Sequence, residues 1–212
     1  MMTLYFAPLA CSLGTRIALY EAGAHVEYIQ VDTRLKQLRD GSDFYPINPL
    51  GQVPVLRTEE GWLLSENTAI LPYVADRFPA AQLAPPAGTL QRARLQQWLG
   101  FIGTELHKAV FIPLLDRHAP EEVKRYARNK TALRFGILQK HLATNDWLLD
   151  RFSVADAYLA AVLNWASFTG VDLAEWPAVA AYYKRLLQRP SVAEALAEEL
   201  AIYREEVAQK AR

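Results

Sequence analysis

The periodicity of apolar residues changes character once along this chain of 212 residues, and that change limits the fold more than any other feature. Up to about residue 80, runs rich in β-branched and aromatic residues, Thr3 to Ala7 and Val26 to Val31, flank a stretch where Leu13, Ile17 and Tyr20 recur at helical spacing. Beyond residue 88 the signal is helical throughout: Leu90 to Leu115, Pro120 to Leu142, Ser153 to Phe168, Ala178 to Gln188, and Ser191 to about Ala208. Between the two regions, Pro79, Pro85, Pro86 and Gly88 frame a stretch without periodicity, which reads as a linker. The pattern predicts an α/β first domain over residues 1–80, a linker over 81–88 and an all-helical second domain over 89–212.

Local signals refine this outline. Ser12 is a fair N-cap and Gly23 lies where a left-handed C-terminal cap belongs, so Cys11 stands directly before a helix. Gln52 to Arg57 and Trp62 to Leu64 read as a hairpin around Thr58-Glu59-Glu60-Gly61. The next helix starts at Ser65 or Asn67, carries Ile70, Val74 and Phe78 on its apolar stripe, and contains Pro72, which predicts a kink. Ser153-Val154-Ala155-Asp156 and Ser191-Val192-Ala193-Glu194 have capping-box spacing and are read as structural.

Composition removes several classes of function. Lys plus Arg and Asp plus Glu each total 23, so no charge excess drives counterion release from nucleic acid. A single cysteine excludes an intramolecular disulfide, a cysteine zinc site and dithiol cycling within one chain, and it suits the cytoplasm. No two of the four histidines have helical metal-ligand spacing, so no metal site is expected. The N-terminus lacks a basic leader and contains Pro8, so it reads as the mature start, and no run approaches the roughly 18 apolar residues of a membrane span.

Four places carry candidate chemistry. Cys11 at a helix start meets the positive end of the dipole, which favours thiolate; spacing alone leaves open a buried, inert cysteine. Asn48 to Pro54 is a rigid loop that presents backbone groups, with Val53-Pro54 a candidate cis bond. Ser65 to Ala69 sets an acid and an amide at a helix start, either to bind an amine and a carboxylate or as an ordinary cap, which the local sequence favours. His107 shares a helix face with Gly100 and Gly103; two helix-weakening glycines there suggest that a ligand or another chain comes close. Taken singly, a helical histidine is more often structural.

In this order these pieces resemble the glutathione transferase family: a strand to Cys11, the Val53-Pro54 hairpin entry, Glu66-Asn67, a proline-rich linker, Ser153-x-x-Asp156 and Arg189-Pro190-Ser191. Cys11 with His107 and Asn164-Trp165 is similar to the bacterial beta class. The resemblance implies a thioredoxin-like first domain, βαβαββα, and an all-α helical bundle after it. It implies glutathione as co-substrate with no prosthetic group or metal, and a homodimer packed through the first helices of the second domain. By position, Val53 before a cis Pro54 pairs with the cysteinyl main chain and Glu66 faces the γ-glutamyl amine. Asn67 and its helix amides hold the γ-glutamyl carboxylate and Lys36 the glycine carboxylate, with Cys11 at the ligand sulfur. His107 and Trp165 line the side of a hydrophobic electrophile or disulfide, where His107 is expected to join Cys11 in catalysis as acid, base or hydrogen-bond donor, and Thr104 reaches a ligand in the neighbouring subunit. Asn67 departs from the small residue, often serine, that many relatives carry. The implied reactions are conjugation and thiol-disulfide exchange; the alternatives are a non-catalytic binder or scaffold, and isomerase or dehalogenase chemistry.

Overall fold

The computed structural model describes residues 1–210. The chain divides into two compact units, one made of residues 1–83 together with the helix that starts at Pro190, the other of residues 84–189. The last helix, expected with the second domain, thus belongs to the first unit.

In the first unit, β1 (Met2–Phe6) is buried along its whole length and sits at the centre of a five-stranded sheet. It pairs in parallel with β2 (Val26–Asp32), Leu4 beside Tyr28, and antiparallel with β4 (Val55–Arg57), Leu4 beside Leu56. The two-residue β3 (Gln37–Leu38) and β5 (Leu63–Ser65) form the edges, giving the order β3-β2-β1-β4-β5. A parallel pair needs a crossover, and α1 (Ser12–Glu21) supplies it. Gly23 ends α1 at φ 62°, its amide donating to Tyr20 and that of Ala24 to Leu19, the double closure that a left-handed residue permits. Ser12 is not the cap: Cys11 takes that position, and the Ser12 hydroxyl turns back to the carbonyl and amide of Ala7.

The second helix implied by βαβαββα does not form. Between β2 and β4 lie β3 and a series of turns, because Asp32, Asp40, Asp43 and Asn48 each accept amide hydrogens from residues two or three further on. Phe44, fully buried against the Tyr5 ring, anchors this segment. The hairpin from β4 to β5 closes as predicted at Gly61, φ 89°. Next, α2 (Asn67–Arg77) contains Pro72 and buries Ile70, Leu71 and Val74.

The final helix, α9 (Pro190–Lys210), packs on α1 in this unit. Ser191, expected as its cap, lies inside the helix and donates to Glu21. Arg16 of α1 is buried with its guanidinium over the faces of Phe6 and Tyr28, 4.3 and 4.2 Å from their centroids, and is ion-paired to Glu198 at 2.7 Å and Glu199 at 3.1 Å.

The second unit holds α3 (Leu90–Phe101), a π-helical segment Ile102–Phe111, α4 (Ile112–Leu115), α5 (Glu121–Leu142), α6 (Val154–Asn164), α7 (Ala166–Thr169) and α8 (Pro177–Leu187). The expected single helix over Leu90 to Leu115 is therefore three segments in register, and Pro113 could not have continued an α pattern by donating to Ala109. Ten of the eleven α6 residues are buried, which marks it as the core helix of the unit. It begins with the predicted capping box: Asp156 accepts the Ser153 amide and hydroxyl, both at 2.8 Å, and with its other oxygen the Leu148 amide at 3.0 Å and the Tyr182 hydroxyl at 2.7 Å. Among the described residues no helix is long and apolar enough to cross a membrane.

Candidate active site

Cys11 caps α1 half-buried, and its sulfur donates to the Val53 carbonyl at 3.2 Å. The segments meet because β1 delivers the chain to α1 while the Asn48 to Pro54 loop leads into β4, the antiparallel neighbour of β1. The Asn48 amide group spans that loop, donating to the Gln52 carbonyl at 2.7 Å and accepting the Leu50 amide at 3.1 Å. The Val53-Pro54 peptide is cis. Two amides at the start of α1 serve its own first turn, Leu13 to Ala10 and Gly14 to Cys11, so the helix contributes its dipole near the sulfur rather than these donors.

Asn67 is 3% exposed and joins the two helix starts: its amide nitrogen donates to the Cys11 carbonyl at 3.0 Å and its oxygen accepts the Thr15 hydroxyl at 2.8 Å. The Asn67 side chain thus ties the start of α2 to the start of α1, with one N–H and one lone pair of its amide outside these two bonds. Glu66, just before it, is exposed at φ 68° with no side-chain cap bond, so the ordinary-cap reading fails. A glutamate in the left-handed region is uncommon, and such backbone recurs at ligand clamps. Lys36 also has positive φ, 59°, and its ammonium donates to the Gly51 carbonyl at 2.9 Å. Gly51 lacks a Cβ where one would stand 2.7 Å from Lys36 Cδ, so the lysine stem crosses the loop there.

Cys11, Lys36, Val53, Pro54, Glu66 and Asn67 thus share the first unit, while Thr104, His107 and Trp165 lie in the second. His107 is buried on the π-helical segment, its Nδ1 2.7 Å from the Tyr158 hydroxyl and its ring 4.9 Å from that of Trp165. Burial, with Lys108 adding to it, lowers the His107 pKa to about 4, so the ring is neutral at neutral pH. Trp165 is 5% exposed between His107 and Phe111, a core packing position. Thr104 is exposed and donates back to the Gly100 carbonyl at 3.0 Å. Gly100 is half-buried, and an added Cβ there would meet nothing within 4 Å among the described residues.

Thr15 and Tyr158 support these groups and carried no local signal in the sequence, because each acts on a partner more than fifty residues away. No cluster of His, Cys, Asp and Glu able to hold a metal ion exists among the described residues.

Residues 1–76 match the family described as Glutathione S-transferase, N-terminal domain, and residues 101–190 match Glutathione S-transferase, C-terminal domain. The chain is 39% identical over 199 residues to glutathione S-transferase GstA of Escherichia coli O157:H7, spanning 93% of this chain and 98% of that protein. A sphingomonad glutathione S-transferase solved in complex with glutathione superposes with a TM-score of 0.89 at 43% identity, covering 93% of this chain and 98% of that one. The beta-class enzyme of Sphingomonas chungbukensis gives 0.89 at 42% identity with the same coverage of 93% and 98%. With a cysteine at the sheet-to-helix junction, a cis proline facing it and matches over both units, the chain belongs to the glutathione S-transferase family and resembles its bacterial beta class.

Proposed function

We infer that this chain is a glutathione-dependent transferase that binds the tripeptide along the Val53-Pro54 loop of its first unit and acts on it through Cys11. The hydrogen bond from the Cys11 sulfur to the Val53 carbonyl carries the reading. A peptide added beside Val53 in strand fashion needs that carbonyl for its own amide. An amide is a stronger donor than a thiol, so the cysteinyl N–H displaces Cys11, and the released sulfur stands beside that of the ligand. A thiol that loses its carbonyl acceptor also ionises more readily, because the bond favoured its protonated form.

The exposed Glu66 carboxylate suits the γ-glutamyl amine, and the amides at the start of α2 suit the γ-glutamyl carboxylate. The Lys36 ammonium needs only to exchange the Gly51 carbonyl for the glycine carboxylate, a charged and stronger acceptor. Two reactions fit these groups. In conjugation, the glutathione thiolate attacks an electrophilic carbon and the leaving group departs with its bonding pair. In exchange, the Cys11 thiolate attacks a mixed disulfide, joins its glutathionyl sulfur and expels the other as thiolate; a second glutathione thiolate then frees Cys11 as oxidised glutathione leaves. A neutral His107, fixed by Tyr158 through Nδ1, hydrogen-bonds at the second-substrate side. The chain works as a homodimer joined through the face that carries Gly100, with Thr104 toward the neighbouring subunit; a monomer at micromolar concentration in sedimentation refutes this.

Mass spectrometry after incubation with oxidised glutathione tests the central claim. One glutathionyl adduct on Cys11 is expected, with exchange abolished and glutathione binding kept in Cys11→Ala. An unmodified Cys11, or full exchange by the variant, refutes it. Turnover of neither an aryl halide nor a mixed disulfide would make the protein a binder.

A further inference from the structure

Leu9 lies two residues before Cys11 in the turn between β1 and α1, and it holds a left-handed backbone, φ 58°, that a leucine rarely adopts. Its amide donates at 2.7 Å to a carboxylate oxygen of Glu199, 190 residues away on α9. Glu199 is fully buried, and its second oxygen stands 3.1 Å from Arg16 Nε. Arg16 is fixed in turn by the Phe6 and Tyr28 rings and by Glu198, which also accepts the Tyr20 hydroxyl at 2.5 Å. The chain thus commits a buried carboxyl group to Arg16 and to one amide of the turn that leads to the thiol. Burying such a group is unfavourable unless its partners need it there, and a residue held in a sparsely populated backbone region needs an outside constraint.

We propose that Glu199 is a positioning residue for the thiol site: by accepting the Leu9 amide it holds the turn in the backbone that directs the Cys11 sulfur at the Val53 carbonyl. The proposal rests on the reading of Cys11 as the working sulfur. The role belongs to the acceptor oxygen and not to the charge, so an amide oxygen in the same place serves as well. An aspartate keeps a carboxyl group beside Arg16 but withdraws the oxygen from Leu9 by one methylene.

The test uses the full chain and four forms: wild type, Glu199→Gln, Glu199→Asp and Glu198→Ala. The last removes an Arg16 partner and leaves the Leu9 contact intact. The rate of Cys11 alkylation by iodoacetamide is followed by mass spectrometry from pH 5 to pH 10, alongside kcat and KM for glutathione, with circular dichroism to check folding. Glu199→Asp is expected to shift the alkylation profile and to lower kcat by roughly tenfold or more, the scale of a small misplacement of a reacting group, with KM moving less. Glu199→Gln and Glu198→Ala are expected to keep the wild-type profile and kcat, whatever they do to stability. A wild-type profile in folded Glu199→Asp overturns the proposal, as does an equal defect in Glu199→Gln. If wild type turns over no glutathione substrate, the proposed function fails while the alkylation arm still judges Glu199.

Discussion

His107 gives a prediction in which sign and size both follow from its surroundings. The ordinary histidine value is 6.5 and burial takes this one to about 4, with Tyr158 as its ring partner and Trp165 against its face. In the unfolded chain the ring protonates near 6.5; in the folded chain it stays neutral until about 4. Between these values the unfolded state binds more protons, so acidification favours unfolding. At 1.36 kcal/mol for each pH unit of separation, His107 contributes roughly 3 kcal/mol of stability above pH 6.5 that is lost as pH falls through 4. Between pH 7.5 and 4.5 the loss is about 2.5 kcal/mol. Urea unfolding of wild type and His107→Gln at those two pH values isolates the histidine, since every other titrating group is common to both. The wild type is expected to lose about 2.5 kcal/mol more than the variant over the interval. Equal losses would show that the ring titrates alike in the folded and unfolded chain, and the lowering of its pKa by burial would fall.

Glu199 predicts the opposite trend at higher pH, because burial raises its carboxyl to about 8 against the pull of Arg16 and the Leu9 amide; the folded state keeps a proton that the unfolded one has released. Thermal melts from pH 5 to pH 9 should show wild type losing stability as pH rises through 8 and Glu199→Gln losing less; parallel curves refute this. Asn67→Leu strands the Thr15 hydroxyl and takes from the Cys11 carbonyl one of its donors, and denaturant titration should show about 2 kcal/mol lost, whereas a loss below measurement error would mean water replaces the amide. Asp156→Ala leaves the Ser153 and Leu148 amides and two hydroxyls without their acceptor, with an expected loss of roughly 4 kcal/mol by the same method; a loss below 1 kcal/mol contradicts the network.

What the sequence disclosed is what depends on neighbouring residues. The strand leading to Cys11, the cap at Gly23, the hairpin at Gly61 and the capping box at Ser153 follow from residue types at short fixed offsets, and each formed. The segment after β2 misled because its helix came from analogy, whereas its Asp and Asn side chains bind the local amides that a helix requires. The widened helix around His107 has no such signature, since turn width is chosen by packing on α5 and α6. For Asn67 the type suggested a ligand contact, but only the fold shows its bonds to Thr15 and Cys11, more than fifty residues away. The Glu199 to Leu9 bond joins residues 190 apart in a helix that reads locally as surface, so no window along the chain could contain it.

That α9 belongs to the first unit has a consequence for biogenesis. The ribosome releases residues 1–83 long before it has made residue 190, and the helical unit over residues 84–189 is complete in between. Domains fold as units while synthesis proceeds, normally from the N-terminus. Here the middle of the polypeptide is the first portion able to finish. The emerging β-sheet waits, its Arg16 and Leu9 still lacking their glutamates, until the closing helix arrives.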